Sequence, residues 1–120
     1  MAEAAPRQPF LYAGRTLGSW VPEIVTRIAE GFDPERIVLF GSLARGDAGP
    51  DSDIDLLVVF REVADRRATA IDMRLAIADI PAPVDFVVAD LAEIDRRGKV
   101  IGPALGTALM EGKAVYERAA

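Results

Sequence analysis

Apolar residues along the chain fall into short runs and longer stripes, and the two kinds alternate. Ile37–Phe40 and Ile54–Phe60 are dense runs rich in β-branched residues, each bounded by Gly, Pro, Asp or Ser. They predict two strands, the first running from Arg36 to Phe40. Val84–Val88, launched by Pro81 and Pro83, predicts a third. Elsewhere the period lengthens. Leu17, Val21, Ile24 and Ile28 recur at steps of four, three and four and predict a helix over 17–32. Ser19 is its expected N-cap, Pro22 falls in its first turn, and Gly31 and Pro34 close it. Residues 62–79 predict a second helix whose stripe of Ala64, Ala68, Ile71, Leu75 and Ala78 packs on the sheet, with Arg61, Arg66, Arg67 and Arg74 on a solvated face. Residues 91–111 read as two helical pieces broken near Gly98 and Gly102-Pro103, with Leu105, Leu109 and Met110 in the core. Lys113–Tyr116 adds a short terminal strand. The sum is an α/β (α+β) fold: a small mixed sheet of three to four strands flanked by helices, one domain over 10–120 behind a loose tail at 1–9.

The polar positions inside this pattern carry the chemistry. The second strand begins Asp53-Ile54-Asp55. Side chains alternate along a strand at about 3.3 Å per residue, so the two carboxylates project from one face, roughly 6–7 Å apart along the backbone. Two anions so placed repel each other, and a divalent cation is the simplest remedy. On the third strand Asp85 and Val87 share one face, and Val84, Phe86 and Val88 the other. An Asp in such a run is costly if buried alone; it calls for a cation shared with the first two carboxylates or for a nearby Arg. Gly41-Ser42 at the end of the first strand lets backbone approach a phosphate and adds a hydroxyl donor, and it also suits a plain strand-to-helix turn. Ser52 is placed to fix the turn before the second strand by bonding a backbone group.

Two overlapping patterns are decoys. Gly41 to Gly46 has Walker A spacing, but Asp47-Ala48 stands where Lys and Ser or Thr are needed. Asp51, Asp53, Asp55 and Glu62 match EF-hand positions, yet Leu56 replaces the required Gly and Leu57–Phe60 are strand residues.

Composition narrows the chemistry further. The 120 residues contain no histidine and no cysteine, which excludes a Ser-His-Asp triad and an ordinary zinc site and leaves oxygen ligands for Mg²⁺, Mn²⁺ or Ca²⁺. The lack of cysteine fits a cytoplasmic protein. No apolar stretch is long enough to span a membrane, and the first nine residues lack the apolar core of a signal peptide. A net charge of −5 argues against a groove for long nucleic acid, though not against one nucleotide accompanied by its cation.

Gly41-Ser42, ten residues from Leu43 to Ser52, then Asp53-Ile54-Asp55 resembles the signature of the minimal nucleotidyltransferase (MNT) domains of the DNA polymerase β superfamily. The likeness covers about residues 17 to 117. It implies the nucleotidyltransferase fold, with Asp53, Asp55 and Asp85 as catalytic residues and ligands of two Mg²⁺ ions (Mn²⁺ as a substitute), and ATP as co-substrate. Asp85 would help deprotonate the acceptor hydroxyl, and Gly41, Ser42, Arg45 and Ser52 would contact the nucleotide. Arg45 stands where the family often has a basic residue, and a surface ion pair explains it equally well. Leu43 departs from the polar residue of many relatives. Tyr12 and Tyr116 carry hydroxyls that could accept a nucleotide, with nothing to favour either.

Stand-alone members of that family commonly accompany a small helical HEPN protein as its antitoxin, silencing the ribonuclease by transferring AMP to a tyrosine. The resemblance therefore implies protein adenylylation with a HEPN toxin as partner, and leaves homo-oligomerisation open. Three rival readings remain: a small-molecule transferase of the aminoglycoside type, a toxin that modifies tRNA, and a non-catalytic antitoxin that neutralises its partner by binding alone.

Overall fold

A computed structural model describes residues 10–96 and 103–119, and the strands fall close to where the apolar runs place them. A hairpin of β1 (Leu11–Tyr12) and β2 (Arg15–Thr16) opens the described chain. A 3-10 turn, Leu17–Trp20, leads into α1 (Val21–Phe32), followed by β3 (Arg36–Phe40) and the one-turn helix α2 (Gly41–Arg45). Then come β4 (Ile54–Phe60), α3 (Arg66–Ala76), β5 (Val84–Asp90), α4 (Leu91–Arg96), α5 (Pro103–Glu111) and β6 (Lys113–Glu117). The main sheet has the order β5-β4-β3-β6; β4 and β5 run parallel and the other pairs antiparallel. The expected tail at 1–9 and the helix break near Gly98 and Gly102 lie outside the described residues. No described helix is long and apolar enough to cross a membrane.

Alternation along β4 sorts the core into two layers. Ile54, Leu56, Val58 and Phe60 face one way and pack with Ile24 and Ile28 of α1 and Met73 of α3. Leu57 and Val59 face the other way, against Val38, Phe40, Ala89 and Ala108 of α5. With apolar residues on both faces, β4 is the central strand about which the helices are layered.

Four local expectations are corrected. Ser19 does not cap α1: its hydroxyl donates to the Thr16 carbonyl at 2.7 Å, holding the 3-10 turn, and α1 starts at Val21 with no side-chain cap. Nor does Gly31 close α1. The left-handed residue is Asp33, at φ 51°, whose N–H donates to the Ala29 carbonyl.

The face of α3 is rotated from the expected one. Asp65 caps it by accepting from the Ala68 N–H at 3.0 Å, and Met73 and Ile77 turn inward with Ile80 beyond them. Ile71 and Leu75 are 49% and 69% exposed, so the predicted stripe is the outer one. Two stripes with helical spacing run along this segment, and the one with the larger side chains is buried because it removes more apolar area from water.

Among the described side chains of α5 the buried one is Ala108; Leu109 is partly exposed and Met110 is 91% exposed, and Leu105 lies outside the described side chains. Small Ala108 lets the helix approach Val38 and Leu57 closely, leaving the long neighbours outside.

Candidate active site

The first strand of the core hands the chain directly to the site. Phe40 is extended, and Gly41 then turns to φ +76°, a left-handed conformation that starts α2. Register places Phe40 opposite Asp55, so the turn lies against the start of β4. A Cβ on Gly41 would collide with Asp55 Oδ2 and come within 3.1 Å of its Cγ. The glycine therefore allows the turn and makes room for the carboxylate.

Parallel pairing of β4 with β5 sets Asp55 beside Asp85. Neighbours in register share a face, and Asp53 lies just before β4, near enough for its charge to act on Asp55. Asp55 and Asp85 lie at the end of the sheet face that carries Leu57, Val59 and Ala89, with Asp53 just ahead of the strand. Their proximity has an electrostatic signature. The Asp55 carboxyl is raised above its ordinary range, first by burial, then by repulsion from Asp85 and from Asp53, with Arg45 pulling it partly back.

The loop between α2 and β4 is tied to the glycine turn. Ser42 donates its hydroxyl to Ser52 Oγ at 2.9 Å, and Ser52 Oγ also accepts from the Gly49 N–H at 2.8 Å. The Ser52 N–H returns a bond to the Gly49 carbonyl at 3.1 Å. Ser52 thus fixes its own turn and holds the Ser42 side chain beside it. Arg45 bridges Glu111 of α5 at 2.8 Å and Asp47 at 3.3 Å, an ion-pair role, while its charge still reaches Asp55.

Asp85 has a partner that the sequence left on a solvated face. Arg74 Nη2 lies 3.3 Å from Asp85 Oδ1. No three acidic, histidine or cysteine side chains among the described residues form a group able to hold a metal ion as they stand. The donor set nevertheless fits a hard divalent cation: only oxygens are offered, and Asp55 is held half-buried beside two like charges with no hydrogen-bond donor of its own among the described side chains. Arg74 could not be found by motif, because its link to Asp85 depends on how α3 lies against β5.

A concavity elsewhere on the protein differs in character. A cavity of about 600 Å³ between α1 and β6 is lined by Val21, Val25, Ala29, Glu30, Val115 and Tyr116. It is apolar with one carboxylate and opens on the opposite layer, so the cluster of chemistry is not there. Tyr116 belongs to that groove; the Tyr12 carbonyl accepts from the Trp20 indole N–H at 3.0 Å.

Residues 21–103 match the family model described as nucleotidyltransferase domain. The chain is similar to a crystal structure assigned as a nucleotidyltransferase from Sulfolobus solfataricus, with 29% identity, a TM-score of 0.54, and coverage of 83% of this chain and 79% of the other. It is similar in fold to a chain of a toxin–antitoxin complex with AMP-PNP, at 22% identity, TM-score 0.54, covering 81% and 73%. A further fold likeness, at 19% identity and TM-score 0.50, covering 86% and 74%, is to a complex of tri-AMPylated Shewanella oneidensis HEPN toxin with MNT antitoxin. No curated protein matches the chain.

Proposed function

Since the chain belongs to the nucleotidyltransferase domain family, we propose that it transfers AMP from ATP to a hydroxyl of a partner protein, as antitoxin to a HEPN ribonuclease. The observation that carries this reading is the register that sets Asp55 beside Asp85, with Asp53 just before β4 and the Gly41 turn against Asp55. Asp53, Asp55 and Asp85 would hold divalent cations, which supply charge stabilisation to an in-line phosphoryl displacement.

The chain's own residues do the rest. Gly41 and Ser42 seat the β- and γ-phosphates, with Ser52 steadying Ser42 and Arg45 adding positive charge nearby. Asp85 takes the proton of the acceptor hydroxyl. The acceptor oxygen then bonds to the α-phosphorus, the bond from that phosphorus to the bridging oxygen breaks, and pyrophosphate leaves. A HEPN partner is supported by the fold likeness to the MNT antitoxin of a complex whose toxin is tri-AMPylated. ATP is supported by the AMP-PNP complex of similar fold.

The test is incubation of the chain with ATP and Mg²⁺ beside the product of the adjacent gene, read by intact-mass spectrometry. Increments of AMP on that partner are expected, and none with Asp53→Asn. Tight binding of the partner without a mass change would support occlusion instead, and a mass increment on an aminoglycoside would support small-molecule transfer.

A further inference from the structure

α3 packs on one face of the sheet, yet two of its arginines end on the other. Arg66 and Arg74 lie eight residues apart, a little over two helical turns, which leaves them about 80° apart on one broad side of the helix. Arg66 Nη1 lies 2.7 Å from Glu93 of α4, a residue only 5% exposed. Arg74 Nη2 lies 3.3 Å from Asp85, and its Nη1 donates to the Val84 carbonyl at 3.4 Å. β5 is the outer strand, and Arg74 reaches it through both the Val84 carbonyl and Asp85, while Arg66 reaches the helix that follows it.

The two pairs differ in kind. The Glu93 carboxylate is buried and depends on Arg66, so that link is structural. Arg74 and Asp85 are each more than half exposed, at 54% and 57%, and joined at longer range, which makes their pair cheap to open. Register sets Asp85 beside Asp55, while no three carboxylates among the described residues are gathered as a metal-holding group.

Building on the function proposed above, we infer that Arg74 is a positioning residue that stands in for a cation. It holds the Asp85 carboxylate at the outer edge of β5 in the free protein and releases it when a divalent cation engages Asp53, Asp55 and Asp85 together. The exchange keeps Asp85 neutralised in both states, so it never stands unpaired beside Asp55. In return, an incoming cation must compete with the guanidinium.

Titration of the full chain with Mn²⁺ alone, at low ionic strength and followed by electron paramagnetic resonance of the free ion, tests this. Arg74→Ala is expected to bind Mn²⁺ about two- to fivefold more tightly than the wild type, the scale set by an exposed ion pair. Arg74→Lys, which keeps the competing charge, should return toward the wild-type value. In an Asp85→Asn background Arg74→Ala should change nothing, because the carboxylate it competes for is gone. Unchanged or weaker Mn²⁺ binding by Arg74→Ala overturns the inference. So does an equal gain in the Asp85→Asn background, which would mean a general effect of net charge. If wild-type Mn²⁺ binding is itself indifferent to Asp53→Asn and Asp85→Asn, the proposed site falls as well. If it depends on both carboxylates while Arg74→Ala is silent, only the role of Arg74 falls.

Discussion

Asp55→Asn is expected to reduce AMP transfer by about 10²–10³-fold or more, the scale of losing one fixed electrostatic element of a site, while making the fold more resistant to heat. The two effects share one cause. Burial and repulsion from Asp85 and Asp53 hold the Asp55 carboxyl above its ordinary range. A carboxyl raised in the native state binds more protons folded than unfolded in the window between its ordinary and raised values. Unfolding free energy therefore falls as pH rises through that window, and above it the charge weighs against the native state. Asn carries no charge to repel. Without divalent cations, the variant's Tm should exceed the wild-type Tm at neutral pH, and the difference should close as pH falls below the ordinary carboxylate range. Equal melting at every pH, or a more stable wild type at neutral pH, would remove the claim that the three carboxylates strain one another.

Gly41→Ala should damage fold and reaction together. At φ +76° an L side chain is strained by about 1–2 kcal/mol. The added methyl would also meet Asp55 Oδ2, forcing the carboxylate or the turn to move. A displacement on the order of 1 Å in a reacting constellation can cost roughly 10²-fold in rate. Gly49→Ala is the matched control: it lies in the neighbouring loop, and a Cβ there meets nothing within 4 Å. Its stability, by urea denaturation, should stay within about 0.5 kcal/mol of the wild type. Equal behaviour of the two variants would show that Gly41 is an ordinary turn residue.

The legible parts of this molecule are those where local chemistry and fold agree. β3, β4 and β5 stand out because each is a β-branched run between breakers, and the spacing from Gly41-Ser42 to Asp53 and Asp55 is local. That Asp85 stands beside Asp55 is a matter of register, which alternation limits to a face but only strand pairing fixes. The hairpin of β1 and β2 has no sequence signal because its turn is Ala13-Gly14, with φ 51° and 79°, instead of the Asn-Gly or Asp-Gly that marks such turns. The buried face of α3 is not legible in the sequence, because Ala64, Ala68, Ile71, Leu75 and Ala78 keep helical period as well as Met73, Ile77 and Ile80 do. Periodicity does not rank stripes; side-chain volume does. Arg74 was hidden for a related reason, since an arginine that wraps an outer strand looks in sequence like any other on a polar helix face.

The central claim is that Asp53, Asp55 and Asp85 and the Gly41-Ser42 turn receive one metal–nucleotide complex. A crystal of the full chain with Mn²⁺ and a non-hydrolysable ATP analogue tests it most directly, through the anomalous signal of the metal. Manganese is predicted between the three carboxylates, with the triphosphate against Gly41 and Ser42 and Arg74 turned away from Asp85. Nucleotide seated in the groove between α1 and β6, with the carboxylates free of metal, would contradict it.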